Sequence, residues 1–328
     1  MSRAVYIGGL LGLALLILLA IRSDLTAMVR TFGLAGWTLL WLIPYRGLYF
    51  LLYALGWLGL LHAYDPQRRA GLAYVFWVTT VREAIDRLLP VASVGGGVAG
   101  VRLLRWRGLA ALPVSVTVIV EILLTLIVLY LFTALGLWQL AALRAPGQEF
   151  HRLLLAFLFC LPVPLVSALL LRHGALFQRL HGLLRPLVGT GAMAEGAARL
   201  DQELRACLHR WRPLLMAGGL QFAAFVSGGF EVWFALRLFG HPAGIGAALV
   251  LESLTQAIRH LAFMIPAGLG VQEIGLVLFG HVLGVGAELA LAVSMAKRMR
   301  EVLCGLPALA SWQWAEARRL RHPERTPS

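Results

Sequence analysis

From Leu109 to Leu140 the sequence carries one charged side chain, Glu121. A helix needs roughly 20 apolar residues to cross a hydrocarbon core, and a run of this length has no water-facing stripe with which to sit on a soluble protein. The chain is therefore expected inside a bilayer. Further apolar runs at Val5–Ile21, Phe32–Leu61, Phe150–Leu171 and Leu214–Phe239, with a more polar one from Ala287 to about Trp314, bring the expected spans to about six. Composition agrees, since 59% hydrophobic and 14% charged residues leave too little polar material to cover a soluble core. The strand alternation of an outer-membrane barrel is absent from these runs. The expected fold is all-α, one polytopic membrane domain over residues 1–328.

Two interruptions organise the chain. In Glu252–Glu273, ESLTQAIRHLAFMIPAGLGVQE, the residues Glu252, Gln256, Arg259 and His260 recur at helical spacing and make a polar stripe on an apolar cylinder. Pro266, Gly268 and Gly270 then stop the helix, and Gln272 and Glu273 open a second short apolar run. Ala70–Arg107 repeats the ingredients in the same order: an apolar helix with Arg82, Glu83 and Asp86, a break at Pro90, the glycines Gly95 and Gly96, and a second short helix. Paired broken segments in matching positions of two halves are the sequence pointer to a transport site near the bilayer midplane. They predict two re-entrant hairpins in an inverted repeat, with halves at about 32–171 and 214–314. The plainer reading is two kinks of independent origin.

Between the halves, residues 172–212 keep apolar residues at helical spacing among arginines, the pattern of two amphipathic helices lying at the cytoplasmic interface around a turn at Gly189–Gly196. A simple linker resting on lipid fits the same pattern. The tail from Arg318 to Ser328 is basic and expected to fray. Val5–Ile21 has no small-residue cleavage site after it and reads as a retained helix rather than a cleaved signal. With the N-terminus inside, most arginines fall in cytoplasmic segments, so both termini are expected to be cytoplasmic. The formal charge of +13 then suits anionic headgroups rather than nucleic acid.

Charges inside the spans cost on the order of 2.5–3.5 kcal/mol each on insertion scales, so each needs a partner or a purpose. Helical spacing pairs Arg82 with Asp86, Glu83 with Arg87, and Lys297 with Glu301. Glu121, Glu231, Glu252, Arg259 and Glu273 have no local partner and must look to other helices or to water. The candidate translocation residues are Arg82, Glu83, Asp86, Pro90, Gly95, Gly96, Glu121, Glu252, Gln256, Arg259, Pro266, Gly268, Gly270, Gln272, Glu273, Lys297 and Arg298. Interhelical salt bridges that only hold the bundle together account for the paired charges equally well. The stripe Tyr45, Tyr49, Tyr53 and Trp57 beside Arg46 reads as packing or interfacial anchoring.

No HExxH, GxSxG, P-loop or dinucleotide-binding glycine signature is present, and Cys160, Cys207 and Cys304 are isolated. No enzyme activity, metal or cofactor is expected. VREAIDRLLPVASVGGGVAGVRLL, LESLTQAIRHLAFMIPAGLGVQE and ALAVSMAKRMREVLCGLPAL resemble the flippase-like transmembrane family that includes the membrane half of lysylphosphatidylglycerol synthases, above all its standalone hopanoid-biosynthesis-associated branch. The resemblance implies a bacterial inner-membrane protein that moves a polar-headed or hopanoid-type lipid between leaflets. It points to Arg82, Pro90, Gly95 and Gly96 in the first motif and Glu252, Arg259, Pro266, Gly270, Gln272 and Glu273 in the second. Gly97 departs from the pattern, which has an acid there, and so does Asp86, where an amide is usual. No aminoacyl-transfer domain is expected, so the chain is not expected to charge lipids. The implied partners are membrane lipids, with a second copy of the chain or lipid-biosynthetic enzymes as protein partners. A non-transporting scaffold and a membrane-embedded lipid-modifying enzyme remain the competing classes.

Overall fold

The computed structural model describes residue 33 and residues 35–89, 95–143, 147–173, 192–262, 265 and 268–321, and every element among them is helical. The first span, Pro90, Pro266, residues 174–191 and the tail from 322 lie outside the described residues. A short 3₁₀ turn, Gly36–Trp41, leads into α1 (Leu42–Leu61). Then come α2 (Leu72–Leu88), α3 (Gly95–Arg105), α4 (Ala111–Leu143), α5 (Gln148–Phe159), α6 (Pro162–His173) and α7 (Ala192–Leu208). The chain closes with α8 (Trp211–Leu238), α9 (Ile245–Leu261), α10 (Val271–Leu283) and α11 (Ala287–Arg321).

Among the described residues, four helical stretches are long and apolar enough to cross a membrane: Gly36–Leu61, Ala111–Leu143, Phe150–Leu170 and Trp211–Leu238. Of the other two expected spans, Val5–Ile21 lies outside the described residues. α11 has the length, at roughly 50 Å for its 35 residues, but its charges keep it out of the apolar class. It runs to Arg321 rather than stopping near Trp314, because Arg318 and Arg319 stack on Trp314 and Trp106 instead of fraying. Phe150–Leu170 is interrupted as its prolines require, with α5 ending at Phe159 and α6 beginning at Pro162. Of the expected amphipathic pair, α7 is described. It starts at Ala192, within the expected turn, and packs Leu204 and Cys207 against Val116 and Val120 of α4.

Contacts between helices fix their directions. Tyr45 stacks on Phe234, Tyr53 meets Phe225, and Gly56 lies against Ala217, so α1 and α8 run antiparallel. The aromatic stripe is therefore packing between these two helices. A helix pair follows each: α2 and α3 after the end of α1, α9 and α10 after the end of α8, each pair packed together. Because α1 and α8 point in opposite directions, the two hairpins enter the bundle from opposite ends. The long helix after each hairpin then packs on the first arm of the other one. α11 lies antiparallel to α2, with Trp77 donating to Ser311 and Gly305 admitting Leu88, while α4 crosses α9 where Gly136 faces Ser253. Glycine at such crossings lets backbones approach closely, which is how helices associate where lipid removes the usual hydrophobic drive.

Matching starts lie at one spacing. α3 and α10 begin at Gly95 and Val271, α4 and α11 at Ala111 and Ala287, 176 positions apart in both cases. Glu121 and Lys297 stand at the same separation.

Candidate functional site

Between the opposed hairpins lies a buried ionic network. Glu301, on α11, approaches four guanidinium groups: Arg259 and Arg298 at 3.3 Å, Arg87 at 3.8 Å and Arg300 at 3.9 Å. From Arg87 the network passes to Glu83 at 2.8 Å and on to Arg46 of α1, whose guanidinium stacks on Tyr49 and Phe50. Arg300 reaches Glu231 of α8 at 2.6 Å, and Arg298 reaches Glu273 of α10 at 3.2 Å. Six helices are thereby tied to one cluster. Two further pairs flank it: Arg82 with Glu121 at 2.8 Å joins α2 to α4 and covers Trp57, and Lys297 with Glu252 joins α11 to α9.

Five carboxylates and cations without a local partner were expected to look to other helices, and all five do. The local pairings hold only in part. Glu83 and Arg87 pair along α2 as their spacing requires. Arg82 does not pair with Asp86: it crosses to Glu121, and Asp86 instead accepts the backbone N–H of Gly96 at 2.9 Å at the start of α3. A carboxylate there satisfies an orphan donor and meets the positive end of the helix. Lys297 does not pair with Glu301 either, because Glu252 faces it across the helix contact while Glu301 is surrounded by arginines. In a buried setting a partner on a packed neighbour is held by the whole bundle, whereas an i,i+4 pair on one helix is worth only about 0.2–0.5 kcal/mol.

The tip of the second hairpin sits against the network. Gly268 and Gly270 both have positive φ, 59° and 76°, the backbone that glycine tolerates best, so the reason for these residues is as the sequence suggested. The Gly268 carbonyl accepts from Arg298 Nη2 at 2.9 Å, and a Cβ at Gly268 would press on Arg259. Arg259 donates to Gln272 Oε1 at 2.6 Å. Ser294 Oγ receives Gln272 Nε2 at 3.0 Å and donates to Glu273 Oε1 at 3.1 Å. Gln256 donates to Glu252 at 2.8 Å. Glu273 is 1% exposed, and among the described residues its Oε2 has no hydrogen-bond partner.

The structure thus gathers Glu83, Arg259, Gly268, Gln272, Glu273 and Arg298 into one site. Arg82 with Glu121, Asp86 with Gly96, and Glu252 with Gln256 and Lys297 stand at its margins. Gly95 begins α3; Pro90 and Pro266 lie outside the described residues. Arg46, Arg87, Glu231, Arg300, Glu301 and Ser294 complete it and were absent from the candidates. Their signal was available: charges inside apolar runs need partners, and Arg46, Glu231, Arg300 and Glu301 all sit in expected spans.

The network is balanced, and it is tight where the described residues bound it. Arg46, Arg82, Arg87, Arg259, Lys297, Arg298 and Arg300 face Glu83, Asp86, Glu121, Glu231, Glu252, Glu273 and Glu301, so the cluster carries no formal excess. A cavity bounded by Arg46, Thr80, Glu83, Arg87, Glu301 and Cys304 has a volume of about 10 Å³, room for about one water and not for a headgroup. Among the described residues no group of three or more His, Cys, Asp or Glu could hold a metal.

The sequence profile of the lysylphosphatidylglycerol synthase transmembrane region matches residues 5–307. The chain belongs to that family. This is a multi-pass, membrane-embedded, lipid-related family, and the match runs through both hairpins and most of α11. No curated protein and no solved structure gives a match.

Proposed function

We propose that this protein is a lipid translocase, moving a polar-headed or hopanoid-type lipid between the leaflets of a bacterial inner membrane, with both termini cytoplasmic. The observation that carries the reading is the tip of the second hairpin. There Glu273, Arg298, Arg259 and the Gly268 carbonyl converge in the bundle interior, and one carboxylate oxygen of Glu273 has no hydrogen-bond partner among the described residues. A headgroup cannot cross hydrocarbon without replacements for its lost water. Fixed charges and freed backbone groups between oppositely directed hairpins offer such replacements, and a closed network of this kind corresponds to a state with the pathway shut. Opening one hairpin against the other would exchange ion pairs for contacts with the headgroup. No enzyme activity is assigned.

Transfer of a fluorescent phospholipid between leaflets of reconstituted vesicles tests the reading. Glu273→Gln and Arg259→Ala are expected to insert and remain monodisperse yet lose transfer. Wild-type rates in both would overturn the proposal. A structural role for the network is favoured by one observation, its nearly complete ion pairing. On that reading the protein is a membrane scaffold for lipid or hopanoid enzymes, and removing Ala192–Leu208 would abolish function while both point variants remained active.

A further inference from the structure

On the opposite flank of α9 from the ionic network the bundle holds a cavity of about 370 Å³. Its walls are Leu126, Leu129 and Leu137 of α4, Phe157 and Cys160 at the end of α5, Pro164 of α6, and Leu254, Ala257, Ile258 and Leu261 of α9. The α9 residues recur at three and four positions, so they form one apolar stripe of a helix whose Glu252, Gln256 and Arg259 face the network. α9 is therefore a partition, charged on one side and oily on the other. His260 belongs to the cavity wall beside Arg259, and its Nδ1 is tied to the Gln256 carbonyl at 2.8 Å.

The outer wall is thin. Few residues of the Phe150–Leu170 stretch are fully buried, and its contacts fall chiefly on α4. Tyr130 and Phe157 stack at 4.1 Å and pin it there. The helix is broken at Cys160–Leu161, at the cavity itself, where an unbroken helix would have continued. Leu155, Leu158 and Phe159, at 67, 50 and 86% exposure, lead from the cavity rim to the outside of the bundle. An apolar void of this size loses attractive contacts along its whole lining and does not fill with water. At the depth of four apolar spans the surroundings are hydrocarbon, and a groove open sideways at a helix break takes what the bilayer supplies.

We propose that this groove is the seat of one acyl chain of a bilayer phospholipid, held on the far side of α9 from the charged cluster. The inference rests on the lipid-translocase reading and adds to it a division of labour: the charged face of α9 serves the headgroup, and the apolar face serves the chain. Ala257 lines the groove on the face of α9 away from Glu252, Gln256 and Arg259, so Ala257→Phe adds its bulk on the groove side and replaces no member of an ion pair.

The test uses the full chain in vesicles containing a phospholipid with a diazirine near the middle of one acyl chain, followed by irradiation and peptide mass mapping. Labelling is expected to concentrate on the lining residues Leu254, Ala257, Ile258, Phe157, Cys160 and Pro164, at least fivefold above the exposed Val166 and Leu169, and Ala257→Phe is expected to remove that excess. Uniform labelling of groove and exterior, unchanged by Ala257→Phe, would overturn the proposal, as would labelling by a polycyclic photoprobe but not by the acyl one. Wild-type protein that labels in the groove and transfers no lipid would overturn the translocase reading while leaving the groove standing.

Discussion

At matched places in the two repeats, Gly97 faces Val118 where Glu273 faces Ser294. Ile122, exposed on the outside of α4, corresponds to Arg298, which turns inward to Glu273, and Thr125 corresponds to Glu301. The backbone frame is shared, with α3 and α4 starting 176 positions before α10 and α11 and the same pairs of helices in contact. The chemistry is not. α4 keeps Glu121 alone, whereas α11 carries Lys297, Arg298, Arg300 and Glu301, which are buried or nearly so. The two long helices thus divide their tasks: α4 supplies an apolar wall, and α11 brings the charges that tie six helices together. The missing acid at Gly97 belongs to this division, for α4 offers no arginine opposite it.

Breaking the central node gives the largest expected effect. Glu301→Ala leaves Arg87, Arg259, Arg298 and Arg300 without their shared carboxylate, and removing one partner of a buried ion pair costs about 3–5 kcal/mol. Thermal unfolding in detergent should fall sharply, while Thr125→Ala at the matched place should cost below about 1 kcal/mol, because its neutral hydroxyl donates at 2.8 Å to the Glu121 carbonyl of its own helix and reaches Gln221 of α8 only at 3.4 Å. Equal losses would show that the repeats share the load after all.

The flanking pairs come next. Glu252→Lys is expected to cost about 3 kcal/mol by setting two cations together, and adding Lys297→Glu should recover most of it. Absence of recovery in the double variant would mean that the two side chains are not coupled.

Smaller effects separate adjacent glycines of the first hairpin. A Cβ at Gly96 would run into the Asp86 carboxylate and the Arg82 carbonyl, so Gly96→Ala should cost about 1–3 kcal/mol. At Gly97 the nearest atom is a methyl of Val118 at 3.3 Å, and alanine should be tolerated within about 1 kcal/mol. A reversed order would place the tight approach elsewhere. The mildest test leaves stability alone: a membrane-permeant maleimide should modify Cys160, which lines the groove, and spare Cys207, buried against α4, whose thiol burial pushes up.

Much of the fold was legible in sequence because its signals are local. Apolar runs mark spans wherever they occur, prolines at 162 and 164 break a helix whatever lies nearby, and Gly268 and Gly270 announce a backbone that other residues resist. The second hairpin's charges could be recognised as needing distant partners. Which partners they found could not, since Arg82 and Lys297 each had a candidate four residues away and took one on another helix instead.

By itself, then, the sequence determined that this chain lives in a bilayer and that the interior holds charges in need of neighbours. Only the tertiary structure decided that Glu301 sits among four arginines, that the space beside them is closed, and that the roomy cavity is oily and lies behind α9. The reason is geometric. Helical spacing says which side chains share a face, but which faces meet is set by how long helices cross, and at a crossing a shift of one turn exchanges every partner.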